Sequence, residues 1–348
     1  MHPENQSPMD QFTAHLDRGW DLIGKGDLPG ARLSAEKLLE LDGDSPDAHH
    51  LLGYIHAAGG NVDEALRHYR QAIDLDEGFV EAMLHAAELL LNPIGDHQAA
   101  IRLIDDALDF VETPEETADA LLLKVDAYLG RKDLKAASRT LDDLPDGPFE
   151  NPQLLFLLGR AYFETGRLEE AEKHIEAAAT HAGDNPDVQY YQGLILEKKG
   201  ERQGATVAFL RARELELRLG EAPWALPVTH FERKVQEAIR KLPSALERTL
   251  EGALVVISDL PGAEVVADGV DPRHPVLINL SPPGPSAAVP STATHVFVYQ
   301  RNIERLVSGV LDIDDEITKV LIAELAHVFP EAAGSEAGNP TDPEEQPS

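Results

Sequence analysis

Four glycines constrain this chain more than any other feature. Gly19 and Gly53 stand 34 residues apart, and so do Gly159 and Gly193. A small residue recurring at that interval marks stacked helix–turn–helix units, each of which buries its apolar face only against its neighbours. The phase is kept downstream of the glycines. Leu52-Gly53 is followed by Ala65, Tyr69, Ala72 and Asp76; Leu158-Gly159 and Tyr162 by Ala171, Ile175 and Ala178; Gly193 and Leu196 by Ala205, Phe209 and Ala212. The small residues let the first helix of a unit (helix A) approach the second (helix B) closely. The large ones, Tyr69, Ile175 and Phe209, are expected to fill the space between neighbouring units. Gly59-Gly60-Asn61 and Glu164-Thr165-Gly166 supply turns, where a backbone with positive φ is needed.

On this register about six units begin near Phe12, Pro46, Val80, Ala118, Pro152 and Pro186. Units three and four depart from the pattern. Ala87 and Val125 replace the glycine, and Asn92-Pro93-Ile94-Gly95 and Glu112-Thr113-Pro114 lengthen the turns. The pattern resembles the tetratricopeptide-repeat (TPR) family over about residues 12–219. The resemblance implies a right-handed helical-hairpin superhelix that binds peptides or partner proteins. Its concave face, lined by the A helices, is expected to carry Trp20, Tyr54, Phe156, Arg160, Phe163, Tyr190 and Lys198, with the acids Glu81, Glu88, Asp126 and Glu164. One TPR subtype grips a terminal carboxylate with Lys and Asn. A face that is mostly aromatic and acidic, with Arg160 and Lys198 as isolated cations, argues against that clamp here.

Charge narrows the partner. The chain has 30 Lys+Arg against 62 Asp+Glu, a formal charge of −32. Such a surface repels nucleic acid and anionic lipid; it serves solubility alone, or it attracts a polypeptide partner, expected to be basic or aromatic-rich. With no cysteine, disulfides, thiolate zinc sites and cysteine nucleophiles are excluded. Abundant Ala and Leu with 5% aromatic residues favours helix. Met1-His2-Pro3-Glu4-Asn5 carries no basic or apolar leader pattern, and no apolar run approaches the ~20 residues that span a bilayer. A soluble, cytoplasmic protein is therefore expected, with no membrane or nucleic-acid partner.

Beyond about Gly220 the repeat stops. The expected organisation is a disordered 1–11, the array at 12–220, a proline-containing linker at 221–230, a small α+β domain at 231–329 and a disordered acidic tail at 330–348. Within the α+β domain, Phe231, Val235, Ala238, Ile239 and Leu242 have helical spacing. Ala253–Ser258, Val276–Leu280 and Thr294–Tyr299 read as strands from their β-branched content. Ser281 to Thr294 reads as a loop, Asn302 to Ser308 as a short helix, and Asp314 to Phe329 as a last helix with acids at its N-terminus.

That order, with Val255-Val256-Ile257-Ser258-Asp259-Leu260-Pro261, Val296-Phe297-Val298-Tyr299-Gln300-Arg301-Asn302-Ile303-Glu304 and Ile317 through Phe329, resembles the small zincin-like metallopeptidase family. The family's last helix carries H-E-x-x-H, two zinc-binding His one turn apart with a Glu as general base. Here the segment is Ala323-Glu324-Leu325-Ala326-His327, and Pro330 replaces the family's following glycine. Ala cannot coordinate a metal, and neither His274 nor His295 has helical spacing to His327. Glu324 and His327 are therefore expected to be vestigial, either partly exposed residues or an intrahelical pair at i, i+3, with no metal, no cofactor and no cleavage.

Two functions remain open from the sequence. One is a protein- or peptide-binding scaffold carrying an inactive zincin-like domain. The other is a TPR-targeted zinc metallopeptidase with an atypical metal site.

Overall fold

The computed structural model describes residues 8–222, 224–281, 292–307 and 312–334. They fall into two compact units, Met1–Ala182 and Gly183–Ser348.

The first unit is five antiparallel helix pairs: α1 (Pro8–Gly24) with α2 (Leu28–Leu41), α3 (Pro46–Ala58) with α4 (Val62–Leu75), α5 (Val80–Leu89) with α6 (His97–Leu108), α7 (Pro114–Gly130) with α8 (Leu134–Thr140), and α9 (Pro152–Glu164) with α10 (Leu168–Ala182). The sequence punctuates each pair. Ser45, Asn151 and Thr113 accept hydrogen bonds from the backbone N–H groups at the A-helix starts, each followed by Pro at the first position. Asp27, Asp96 and Asp133 cap B helices in the same way. Gly60 and Gly166 turn the chain with φ of 76° and 82°, in the left-handed region that costs glycine nothing.

The glycine notches are filled from within the hairpin. A Cβ on Gly53 would lie 2.5 Å from the Tyr69 ring, and one on Gly159 would lie 2.7 Å from Ile175. Tyr69 and Ile175 thus occupy the A/B contact of their own unit, which corrects the expectation that they fill the space between units. Tyr69 also reaches the next A helix, its ring 5.8 Å from that of His85. At Gly19 the notch takes Leu51 of the following unit instead. Ala87 and Val125, where the glycine is missing, are fully buried. The third pair breaks differently, in a five-residue wide turn at Leu90–Ile94.

Two boundaries of the array differ from expectation. α1 begins at Pro8, inside the segment expected to be disordered, because Phe12, Leu16 and Trp20 pack on the Ala31, Leu38 and Leu51 cluster and the preceding residues extend the same helix. Residues 1–7 of that segment lie outside the described residues. The fourth unit starts at Pro114 rather than near Ala118, since Thr113 and Glu116 form a reciprocal capping box. No strand occurs between residues 12 and 219.

The second unit opens with a sixth pair, α11 (Pro186–Lys198) and α12 (Arg202–Arg218), with Phe209 in the notch of Gly193 at 2.5 Å. Then follow α13 (Val228–Arg240), α14 (Ser244–Thr249), β1 (Leu254–Ser258), α15 (Ala263–Ala267), β2 (Val276–Leu280), β3 (Ala293–Tyr299), α16 (Gln300–Glu304), α17 (Ile313–Val328) and α18 (Pro330–Gly334). The sheet order is β1-β3-β2, with β1 parallel and β2 antiparallel to β3. Phe231 and Val235 of α13, Val276, Val296 and Val298 of the sheet, and Ile317, Leu321 and Leu325 of α17 form one buried core.

α13 starts at Val228, inside the expected linker. Pro330, expected to open a disordered tail, occupies the first position of α18, where its missing N–H costs nothing. Ala332 of that helix packs on the core. The rest of the tail, 335–348, and most of the expected loop, 282–291, lie outside the described residues.

The α+β elements close the open end of the sixth pair. Val266 of α15 packs with Ala205 and Phe209. Arg273 lies 4.1 Å above the Tyr190 ring, and the Tyr190 hydroxyl donates to Asp271 at 2.9 Å. Arg273 and Arg305 both pair with Glu216, which is 7% exposed. A solenoid end that would expose apolar surface is thereby capped.

Candidate functional site

One position, directly after the repeat glycine, runs through the A helices of the first unit: Trp20, Tyr54, Glu88, Asp126 and Arg160. Helical repetition places one such residue on each successive A helix. The column changes character along its length, aromatic at α1 and α3, acidic at α5 and α7, cationic at α9.

At the aromatic end, Trp20 meets Tyr54 edge-on with centroids 5.3 Å apart. His50, one turn before Tyr54 on the same face, lies 5.4 Å from Trp20 and 4.8 Å from Phe79. His50 Nε2 is 2.8 Å from His85 Nδ1, and His85 meets Tyr54 at 5.5 Å. Burial, and then His85, drives the His50 pKa down to about 3; burial also lowers that of His85. Both rings are neutral at ordinary pH, so the cluster is an apolar shelf with hydrogen-bonding edges. A hollow of about 200 Å³ opens beside it, lined by Tyr54, Tyr69, His85, Glu88 and Leu89.

The acidic stretch follows. The Glu88 carboxyl is pushed up by burial and then by Asp119, and Asp119 by burial and then by Glu115 and Glu116. These carboxylates repel one another and would be relieved by an incoming cation. Arg160 already pairs with Asp126 at 2.6 Å, across adjacent A helices.

The expected contact residues therefore separate. Trp20 and Tyr54 are half-buried in one cluster. Phe156, 7% exposed, is a core residue of α9, while Phe163 on the same helix is half-buried and Glu164 exposed. Glu81 starts α5 exposed. In the second unit Lys198 is exposed at the end of α11, whereas Tyr190 is engaged by Asp271 and Arg273. Sequence reasoning missed His50 and His85; the i, i+4 spacing of His50 to Tyr54 was the available signal.

In the α+β domain Ala323 and His327 are exposed on α17. Glu324 is half-buried and pairs outside its own helix rather than with His327. Its Oε2 lies 3.3 Å from Nε2 of His274, from the β1–β2 connection, and that contact raises the His274 pKa against the opposing effect of burial.

A tetratricopeptide-repeat family model matches residues 16–78 and 150–216. The TPR repeat-containing protein YpiA of Bacillus subtilis is 25% identical over 198 residues, 57% of this chain and 46% of YpiA. Superkiller complex protein 3 of Mus musculus is 25% identical over 240 residues, 66% of this chain. The chain spans less than half the length of the first relative and 15% of the second. Among solved structures, that of pilF from Pseudomonas aeruginosa aligns with a TM-score of 0.52 at 17% identity, covering 60% of this chain and 94% of pilF, a likeness of fold. Among the described residues no helix is long and apolar enough to cross a membrane. Spacing, hairpin geometry and family match agree that residues 16–78 and 150–216 of this chain are tetratricopeptide repeats.

Proposed function

We propose that the chain is a scaffold that binds an extended polypeptide along its A helices, with Trp20 and Tyr54 as the apolar anchors and the acidic stretch from Glu81 through Asp126 receiving basic residues. The observation that carries this reading is the graded column itself, since packing alone explains neither the half-exposed aromatic shelf nor mutually repelling carboxylates beside a hollow. A peptide with an aromatic or long apolar residue followed by Lys or Arg fits both. Array and α+β domain divide the chain near 12–220 and 231–329 on this reading, and the protein works in the cytoplasm.

Selection of displayed peptides against the full chain supplies the probe. Aromatic hot spots are commonly worth at least ~2 kcal/mol each, so the Trp20→Ala/Tyr54→Ala double variant is expected to weaken a selected peptide more than tenfold. Binding should weaken with salt, because exposed charge attraction is screened over about 8 Å at physiological ionic strength. Unchanged affinity in the double variant contradicts the assignment.

The α+β domain is read as a zincin-like fold without peptidase chemistry. The element order and strand positions support the resemblance. Ala323 offers no ligand one turn before His327, and Glu324 is committed to His274, so neither the two-point metal grip nor a free general base is present. The full chain with added zinc is expected to leave a quenched peptide library uncleaved. Cleavage abolished by Glu324→Gln would restore the metallopeptidase reading.

A further inference from the structure

The second hairpin holds a polar cluster that the A-helix shelf does not use. His49 and His56 come from α3, Glu64 and His68 from α4. One nitrogen or oxygen from each of His56, Glu64 and His68 lies within 4.8 Å of the other two. The His56 and His68 rings stack with centroids 5.4 Å apart.

The hydrogen bonds fix the tautomers, because a guanidinium only donates. Arg67 reaches His68 Nε2 at 2.9 Å, so that nitrogen carries a lone pair and His68 Nδ1 carries the hydrogen. His68 Nδ1 then donates to His49 Nδ1 at 3.1 Å. Arg32 reaches His56 Nε2 at 2.9 Å, which puts the His56 hydrogen on Nδ1. His49 Nε2 and His56 Nδ1 are left buried with no hydrogen-bond partner. Glu64 receives Arg67 at 2.7 and 2.9 Å. Two imidazole lone pairs and one carboxylate thus face cationic guanidinium groups, which is the arrangement a metal cation would also satisfy.

We propose that His56, Glu64 and His68 form a binding site for one divalent cation of the zinc class. Two imidazoles and a carboxylate are a sufficient protein ligand set for tetrahedral zinc with an open fourth position. The nitrogen content favours zinc, cobalt or nickel over magnesium or calcium. Glu64 and His68 stand at i, i+4 on α4, one above the other, so one helix supplies a two-point grip and α3 the third ligand. His49, against the far nitrogen of His68, is the outer partner that orients a ligand imidazole. Ligand atoms around tetrahedral zinc are about 3.3 Å apart, so the three groups must draw in. Glu64 and Arg67 are free to move, with side chains 52% and 55% exposed.

The arginines make the proposal testable, since they hold the lone pairs that metal would take. The measurement is zinc competition against a chromophoric chelator, and the visible spectrum of added cobalt(II), on tag-free full-length protein at neutral pH. One metal per chain at micromolar affinity or tighter is expected, with cobalt bands of four-coordinate intensity. His56→Ala and Glu64→Gln should each weaken binding tenfold or more. Arg67→Ala and Arg32→Ala should strengthen it, an effect that a purely structural cluster has no reason to give. His56 and Glu64 are the more exposed ligands, so their variants test the site even where His68→Ala fails to fold. No binding tighter than about 100 µM overturns the proposal, as does affinity unchanged in His56→Ala and Glu64→Gln, which would place the metal elsewhere among the 14 histidines. The proposal does not depend on peptide binding along the A helices.

Discussion

At the scale of single residues, the repeat is enforced by absent atoms. Gly53 has no side chain because the Tyr69 ring fills that volume, so a Cβ there would meet ring atoms at 2.5 Å. Tyr69 is 1% exposed, its ring packed between α3 and the His85 ring of α5. Overpacking of this kind costs about 1–3 kcal/mol. Gly53→Ala is therefore expected to lower the denaturant midpoint of the first unit, whereas Gly24→Ala, with nothing within 4 Å of the added methyl, should be neutral or slightly stabilising. Equal effects of the two substitutions would remove the packing explanation. These positions were legible in the sequence because each contact recurs in phase with the glycines. Tyr190 was legible as a large A-helix residue, but not as one engaged by Arg273, a residue 83 positions away whose placement is purely tertiary.

At the scale of elements, the long helices and the three strands announced themselves through period and β-branched content. The short helices α14, α15 and α18, of five or six residues, are too brief for any periodicity to register. The histidine clusters were hidden for another reason. His49, His50, His56, His68 and His85 come from three helices with no fixed spacing, so only the stacking of α3, α4 and α5 brings them together. Their burial makes those helices acid-sensitive. The His50 and His68 pKa values fall to about 3 and about 4, chiefly through burial, against an ordinary value near 6.5 in the unfolded chain. A depressed pKa contributes stability that is complete above pH 6.5 and is lost as pH falls towards the folded value. At pH 5 the loss is about 2 kcal/mol per group at most. Glu88 and Asp119, raised by burial, act in the opposite sense at lower pH. Chelator-treated protein should melt at a lower temperature at pH 5 than at pH 7, with the difference reduced in His50→Asn. A flat profile between those values would show that the rings are not held neutral.

At the scale of the molecule, the A helices form the proposed recognition surface and the α+β elements cap the last helix pair. The cap was readable as an α+β domain from its strands. Its role against α11 and α12 was not, because Arg273 and Arg305 resemble any surface arginines until Glu216 and Tyr190 are placed opposite them. The acidic excess was plain from composition, but only the register places Glu88 and Asp126 at the position after the repeat glycine. The most direct test of the central claim is hydrogen exchange of the full chain with and without a saturating peptide selected against it. Protection confined to α1, α3, α5 and α7, and lost in the Trp20→Ala/Tyr54→Ala variant, is the predicted result. Protection centred on α17 and the three-stranded sheet, with the A helices unchanged, would contradict it.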